Sequence, residues 1–437
     1  MTGRLLRGRL LTFHREPQGA DDRAAFTFVE DGALILADGR IVAMGDHADL
    51  APLAGDADVM DHRPHLILPG FIDPHIHFPQ MQVIASWGAQ LLDWLTGYTF
   101  PEEMRFADPG HAARIARAFF DILIAHGTTT PVAYGTVHPA SAEAYFAEAA
   151  GRNIRALGGK SMMDRNAPAG LCDTAQSSFD DSEALIARWH GRGRAGYAIT
   201  VRFAITSTPA QLDAAGALAA AHPDCPIQTH LAENHDEIAT VRRLFPGARD
   251  YTDVYESHGL LRANTLLGHC LHLQPREIEA IAAAGAHPVF CPTSNMFLGS
   301  GLFDDAGLRA HGIRNAVATD VGGGTSCSML ATLREAYKVL ALQRQGLHPL
   351  RAFDWITRGN AAALGLEGRI GTLEPGTEAD LVVLDSRATP EMALRMERAE
   401  TLAEELFVLQ IMGDDRAVAE TYVAGEPSKC GVVVGVF

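Results

Sequence analysis

Short apolar segments alternate with longer amphipathic segments through the middle of this chain. The amphipathic segments, such as PGHAARIARAFFDILIAHG (109–127) and PREIEAIAAAG (275–285), repeat apolar residues at helical spacing. The apolar segments between them have the length and texture of buried parallel strands. Eight strand–helix units in roughly 300 residues are typical of a (β/α)8, TIM-like barrel, which we predict for residues 67–366. The predicted strands are LPGFIDPHIH, GTTTPVAYG, IRALGGKSM, ITVRFAIT, PIQTHLAE, TLLGHCLHL, HPVFCPTSN and NAVATDVGG.

The two ends of the chain have a different sequence pattern, in which strand-like runs are separated by tight turns. The first of these regions, Arg4 to Leu66, contains DGALILADGRIVAMG, whose Asp-Gly pairs predict hairpin turns. Similar runs return from Glu367 to Asp385 and from Arg416 to Glu426, on either side of a helical insert. Neither end is long enough to build a core alone. We therefore predict an α/β fold in which residues 1–66 and 367–437 form one small composite β-sandwich domain.

Side chains that bind metals stand where several of the predicted barrel strands end. Functional groups of such a barrel gather at the carboxyl ends of its strands. Imidazoles and a carboxylate that leave one position open suit a Zn²⁺ ion engaged in hydrolysis. An isolated histidine more often packs or faces solvent, so it is the joint occurrence at one edge that favours a shared metal site. The groups are His75 and His77 on the first strand, His230 and Glu233 on the fifth, His269 on the sixth and Asp320 on the eighth.

Composition and charge limit the kinds of molecule that this chain is expected to bind. The 437 residues are 47% hydrophobic and 20% charged, with a formal net charge of −17. An acidic chain repels phosphate backbones, so we expect no nucleic-acid binding and instead a small-molecule substrate. No segment has the apolar length that would predict a membrane span. The six cysteines form no CxxC pair, which favours reduced thiols and a cytoplasmic location.

Three other short stretches each lack part of the motif that they resemble. GGKS (158–161) resembles the end of a phosphate-binding loop, but Ile154 stands where the first glycine belongs. VGGGTS (321–326) lacks the complete dinucleotide-binding spacing. HDE (235–237) matches half of the signature of small zinc deaminases, but no PCxxC accompanies it. We take all three as chance matches.

Several longer stretches resemble a known family. PGFIDPHIHFPQ, HGTTT, THLAEN, GHC and ATDVGGG are similar to the motifs of the amidohydrolase superfamily, in its metal-dependent deaminase branch. More narrowly, HFPQMQVIASWGAQLLDWLTGYTFPEE, VRFAIT and CPTSNMFLGSGLF resemble the guanine deaminases. The resemblance spans the barrel and the flanking β-segments. It implies the barrel fold and hydrolytic deamination.

The resemblance implies a role for each residue at the strand ends. Glu233 would be the proton shuttle, and His269 would lie beside the metal and orient or polarise the substrate. Asp320 would also accept a proton from the metal-bound water. The fourth strand, ITVRFAIT, has no lysine where two-metal relatives have a bridging one, so one Zn²⁺ per subunit is implied. Its ligands would be His75, His77, His230 and Asp320.

A second group of residues is implied to bind the purine. Gln80 would hydrogen-bond the ring, and Arg202 would face its oxygen and imidazole edge. Phe203 would contact the ring face, with His269 beside it. Apart from the resemblance, Trp87 and Trp94 are both candidates for the pocket wall, although core packing is at least as strongly favoured for Trp94.

The resulting prediction is zinc-dependent hydrolytic deamination of guanine to xanthine and ammonia, by a homodimer. The nearest alternative keeps the site and changes the substrate to another purine, a pyrimidine or an s-triazine. A non-catalytic barrel that binds a partner is a second alternative, although such a protein would be expected to have lost one of the five metal and shuttle residues. A copper or iron site in a β-barrel conflicts with the helices between the strands.

Overall fold

The computed structural model describes residues 3–87 and 90–429, and the C-terminal KCGVVVGVF stretch lies outside them from Cys430 onward. The strands are β1 (Arg4–Phe13), β2 (Phe26–Ala37), β3 (Arg40–Asp46), β4 (Asp58–Pro69), β5 (Phe71–His77), β6 (Thr128–Tyr134), β7 (Ala156–Gly159), β8 (Ser161–Met162), β9 (Ala195–Tyr197), β10 (Ile199–Val201), β11 (Ile227–Leu231), β12 (Thr265–His269), β13 (His287–Phe290), β14 (Ala316–Val317), β15 (Leu381–Leu384), β16 (Val418–Val423) and β17 (Glu426–Pro427). The α-helices are α1 (His47–Leu50), α2 (Leu91–Trp94), α3 (Phe100–Met104), α4 (Pro109–Ala125), α5 (Pro139–Gly151), α6 (Ala175–Trp189), α7 (Pro209–Ala221), α8 (His235–Leu244), α9 (Tyr251–Ser257), α10 (Pro275–Ala284), α11 (Pro292–Phe297), α12 (Asp305–Ala310), α13 (Met329–Leu342), α14 (Pro349–Asp354), α15 (Asn360–Ala363), α16 (Pro390–Met396) and α17 (Leu402–Met412).

The middle of the chain forms eight parallel strand positions in sequence order. One sheet joins β5, β6, β7 and β9, and another joins β8, β10, β11, β12, β13 and β14. The two sheets are continuous, because β7 with β8, and β9 with β10, are single strands interrupted at Lys160 and Ala198. Helices follow most of these strands, as a parallel sheet requires for its connections.

Hydrogen bonds between the first and the last strand position close this sheet into a barrel. The backbone N–H of Asp320 donates to the carbonyl of His75 at 3.0 Å, and the N–H of His77 donates to the carbonyl of Val321 at 2.6 Å. The fully buried carboxylate of Asp73 accepts from the backbone N–H of Thr319 at 3.2 Å. The predicted (β/α)8 barrel fold is confirmed.

The two ends of the chain share one seven-stranded sheet, in the order β17-β16-β15-β4-β1-β2-β3. β4 pairs parallel with β1 and antiparallel with β15, so N- and C-terminal segments complete the same structure. We predicted a sandwich, and the ladder hydrogen bonds join all seven strands into one sheet. The domain division stays a prediction, and its boundary at residue 66 falls inside β4. The sheet has its own apolar core, formed by Leu6, Leu10, Leu34, Leu36, Ile41, Ile67, Leu373, Ala379, Leu381, Val383 and Tyr422.

Helix caps and apolar faces explain why the outer layer forms where it does. In α4 the side chain of Asp108 accepts from the N–H of Gly110 at 2.9 Å, and Pro109 occupies the first helical position. Its buried face packs Phe119 and Leu123 into the core. The predicted helical insert after Asp385 is present as α16 and α17. Among the described residues, no helix combines the length and apolarity that crossing a membrane would take.

One helical run after β5 matters for the site that follows. It continues from α2 through a π-helical turn at Leu95–Thr99 into α3. Leu91, Trp94 and Leu95 are buried on this run, as is Glu103 at its end. A π turn shifts the register of the side chains that follow it, and such turns often occur at functional sites.

A buried charge network joins the barrel to the seven-stranded sheet, and its removal should destabilise the protein. Glu378 accepts hydrogen bonds at 2.9 Å from Nε of Arg155 and from Nε of Arg194, two residues that precede barrel strands. Glu378→Ala removes this partner from the buried guanidinium of Arg155 and from the partly buried one of Arg194, which keeps Asp380, so the change should cost about 3 kcal/mol. We expect a clear fall in the apparent Tm by scanning calorimetry. Glu426→Ala, which removes an exposed partner of Arg4, is the control and should cost below about 1 kcal/mol. Equal shifts for the two variants would contradict this account.

Candidate active site

The carboxyl ends of four barrel strands bring five polar side chains to one buried place. β5 ends in His75 and His77, and β11 and β12 contribute His230 and His269. Asp320 follows β14. The side chains of His75, His77, His269 and Asp320 are less than about a tenth exposed, and His230 is partly buried. Gly268 makes room for them, since a Cβ at that position would lie 2.5 Å from Cε1 of His75.

The spacing of the cluster suits a tetrahedral metal ion. Nε2 of His77 lies 3.2 Å from Nε2 of His230 and 3.4 Å from Oδ1 of Asp320. Nε2 of His75 lies 3.2 Å from the same Oδ1. Two ligands that are each about 2.0–2.1 Å from a tetrahedral ion are about 3.3–3.4 Å apart. Ligand atoms of His75, His230, His269 and Asp320 also fall within 4.8 Å of one another, so five groups compete for four positions.

The hydrogen bonds around the cluster indicate where a cation fits. Nδ1 of His230 donates to the backbone carbonyl of Arg202 at 2.7 Å, which directs the lone pair of Nε2 toward His77. Neither nitrogen of His75 makes a hydrogen bond, although its Nε2 stands next to the Asp320 carboxylate. A cation between Nε2 of His75 and the Asp320 carboxylate would accept the lone pair of the nitrogen and balance the charge of the carboxylate. The residues present therefore fit a metal ion.

The pKa values of the cluster favour the charge states that metal ligands need. Burial lowers the pKa of His77 to about 3 and that of His230 well below its usual value. Burial alone would raise the pKa of Asp320, but the neighbouring imidazoles of His75 and His77 outweigh it and hold that pKa well below the usual range. Neutral imidazoles and an ionised carboxylate are the forms that bind metals.

His269 differs from the other three histidines in its partner. Nδ2 of Asn295 donates to Nδ1 of His269 at 2.9 Å, so in the neutral imidazole the proton is on Nε2. Burial lowers the pKa of His269 to about 4, which favours this neutral form. Nε2 lies 3.3 Å from Oε2 of Glu233 and is therefore a donor into the site.

Glu233 occupies the edge of the cluster in a setting that favours its protonated form. It is buried, and its Oε1 accepts from the hydroxyl of Ser300 at 2.8 Å. Burial, with the charges of Asp320 and Glu237, raises the pKa of Glu233 well above its usual value. A carboxyl whose pKa is raised in this way is suited to give a proton to a bound molecule.

An open cavity adjoins the cluster. Most of the residues predicted to bind a substrate reach it, and the adjacent aliphatic side chains make its wall apolar. Trp87 is not among the lining residues: it is 79% exposed, and Trp94 lines the cavity instead. The lining residues are His77, Gln80, Leu91, Trp94, Leu95, Arg202, Phe203, His230, Glu233, Glu237, His269, Ser294, Leu298, Asp320 and Gly323.

Several residues that the sequence analysis did not select support the site. Glu103, on α3, accepts hydrogen bonds from Gln80 and Arg202. The ring of Tyr134 stacks on His77, with centroids 4.3 Å apart. Glu237, which we had read as part of a chance motif, lines the cavity and accepts from the backbone N–H of Glu233 at 2.8 Å. Its capping position three residues after Asn234 was the available signal.

Comparison with known proteins agrees with this geometry. The amidohydrolase family model matches residues 66–427. The guanine deaminase of Escherichia coli strain K12 is 43% identical over 426 residues, which is 97% of each chain. The structure of E. coli guanine deaminase covers 97% of this chain and 99% of its own, with a TM-score of 0.95. The guanine deaminase of C. acetobutylicum, solved with guanine in its active site, is 28% identical, with a TM-score of 0.88 over 97% of this chain and 99% of its own. The chain described here belongs to the amidohydrolase family.

Proposed function

We propose that this protein hydrolyses the exocyclic amino group of guanine, producing xanthine and ammonia, with one Zn²⁺ ion per chain. The observation that supports it most directly is a cavity in which Arg202, Gln80 and Phe203 face the His/Asp cluster and Glu233. The relatives named above, which are guanine deaminases, support the same substrate. The homodimer and the cytoplasmic location stay predictions.

The tautomers of the histidines support one choice of metal ligands. His75, His77, His230 and Asp320 would hold the ion, and His269 is left out because its Nε2 is a donor in the hydrogen-bond pattern described. Imidazole and carboxylate are ligands that zinc accepts in catalytic sites, where its coordination can expand from four to five groups and so admit a water molecule. When bound, the ion would lower the pKa of a water molecule to about 7 and so supply a nucleophile at neutral pH.

Substrate selection rests on the side chains of the cavity wall. Arg202 would donate to the ring oxygen and the imidazole edge, and Gln80 would hydrogen-bond the ring. Phe203, which is 5% exposed, would contact the ring face. Adenine has no carbonyl for Arg202, so its binding would leave buried N–H donors without an acceptor, which disfavours it.

Proton movement would use Glu233. Its carboxyl gives a proton to the ring nitrogen beside the amino-bearing carbon, which makes that carbon more electrophilic. Asp320 takes a proton from the added water and gives it to the departing amine, and the new hydroxyl on the ring carbon returns a proton to Glu233, so that one water is consumed for each ammonia released and the carboxyl is restored. Ser300 holds Oε1 of Glu233, which leaves Oε2, on the His269 side, for this transfer.

A direct assay tests the substrate. We expect purified protein loaded with Zn²⁺ to convert guanine to xanthine, with one ammonia per xanthine. The purines would be followed by ultraviolet absorbance and the ammonia by a coupled assay. Chelation should stop turnover and added Zn²⁺ should restore it. Turnover of adenine, cytosine or an s-triazine without turnover of guanine, in a metal-loaded sample, would instead favour the alternative substrates.

Replacing the proton shuttle should lower the rate of chemistry. In Glu233→Gln an amide replaces the carboxyl that transfers the proton, so kcat for guanine should fall by a factor of about 10²–10⁴ or more. Glu277→Gln is the matched control, because Glu277 is also buried but accepts from Gln274 and Thr252, away from the cavity. A Glu233→Gln enzyme with kcat near that of the control would remove Glu233 from this role.

The ligand assignment can be tested without an activity assay. His77→Ala should reduce bound zinc, measured by mass spectrometry of the purified protein, from about one ion per chain to well below that. His190→Ala is the control, since it alters the other cluster of His190, Asp224 and Cys225. There Nδ1 of His190 already accepts from the backbone N–H of Tyr197 at 3.0 Å. Loss of zinc from the His190 variant with retention in the His77 variant would reverse the assignment.

A further inference from the structure

Glu103 lies behind the substrate-binding side chains rather than among the cavity-lining ones. It ends the helical run of α2 and α3, and its side chain is only 1% exposed. Oε1 of Glu103 accepts from Nε2 of Gln80 at 2.9 Å. Nη1 of Arg202 lies 2.7 Å from Oε1 and 2.5 Å from Oε2. A single carboxylate therefore contacts both polar residues proposed to recognise the purine.

The first consequence concerns the side-chain amide of Gln80. Its Oε1 accepts from the backbone N–H of Gly322 at 3.1 Å, while its Nε2 donates to Glu103. An ionised carboxylate only accepts and a backbone N–H only donates, so these two partners allow one orientation of the amide. The N–H of Gln80 that remains, and the remaining lone pair, are thereby presented to the cavity at defined positions.

The second consequence concerns charge. Arg202 is 3% exposed, and an unpaired guanidinium in such a place would attract an anion and disfavour a neutral ring. The carboxylate of Glu103 balances that charge through two short contacts on Nη1 alone. The other N–H donors of the guanidinium stay available for a neutral acceptor such as a ring carbonyl.

We infer that Glu103 is a positioning residue that determines substrate selectivity: it holds Gln80 in one amide orientation and neutralises Arg202, so that the cavity selects an uncharged oxopurine over an anionic one. This inference rests on the proposed function and goes beyond it, because it makes selectivity depend on a residue that is not required to touch the substrate.

The test compares two purines that differ in charge. Hypoxanthine is a neutral 6-oxopurine without the amino group that reacts, and urate is a monoanion at neutral pH. Their affinities for the zinc-loaded protein at pH 7.5 would be measured by titration calorimetry, for the wild type and for Glu103→Gln.

The Glu103→Gln variant keeps the shape of the side chain but loses its charge, and its amide no longer specifies the orientation of Gln80. We expect hypoxanthine binding to weaken about tenfold or more, and the urate/hypoxanthine affinity ratio to shift toward urate by at least tenfold. A smaller shift overturns the inference.

The matched control is Glu102→Gln, a neighbour on the same helix whose carboxylate pairs with Arg105 at 2.6 Å and His111 at 3.0 Å. It should leave the affinity ratio unchanged, and a similar shift in this variant overturns the inference because it would show a general effect of the helix.

If Glu103→Gln does not fold, the same measurement on Glu103→Asp tests the inference. That variant keeps the charge but shortens the reach, so the ratio should stay near wild type while hypoxanthine binding weakens about tenfold. Wild-type affinity in Glu103→Asp overturns the inference.

The same data separate this inference from the proposed function. A zinc-loaded wild type that neither binds hypoxanthine nor turns over guanine would remove the proposed function itself. A wild type that does both, beside a Glu103→Gln variant with an unchanged affinity ratio, would remove only the role of Glu103.

Discussion

The geometry of the site depends on two backbone hydrogen bonds that close the barrel. They run from the N–H of Asp320 to the His75 carbonyl and from the N–H of His77 to the Val321 carbonyl. They join residues nearly 250 positions apart in sequence, and they fix the first pair of imidazoles beside the last carboxylate. Asp320 adopts a left-handed backbone with φ of 51°, and His269 one with φ of 71°, at the points where their strands end. Such conformations cost free energy in residues with a Cβ and persist where the surrounding structure holds them.

Much of this arrangement could be predicted because its signals are local. The i, i+2 spacing of His75 and His77 on an apolar strand puts both on one side, and a barrel sends every strand end to one edge. The alternation of apolar and amphipathic segments was enough for the fold class. The end segments share one sheet, and the order of its seven strands depends on ladder hydrogen bonds between distant segments, which no local pattern specifies.

The parts that could not be predicted depend on contacts between distant residues or on single hydrogen bonds. Nothing near Glu103 in sequence distinguishes it from Glu102, yet one glutamate supports the substrate-binding residues and the other pairs with Arg105 and His111. The separate role of His269 follows from one amide, that of Asn295. Trp87 was expected in the pocket wall, but it is 79% exposed, and it is Trp94 that lines the cavity.

The pairing of β4 with β15 has a consequence for how the chain reaches this state as it is synthesised. One edge of β4, the strand that ends at Pro69, has no partner until the strand that begins at Leu381 has been synthesised. At about 5–20 residues per second, roughly 15–60 s pass between the appearance of the two strands. During that time the apolar run Leu66–Leu68 has an open edge, which is the kind of surface that pairs with other chains. Until β15 has been synthesised, the growing chain therefore has an unpaired apolar strand edge that the folded protein does not have.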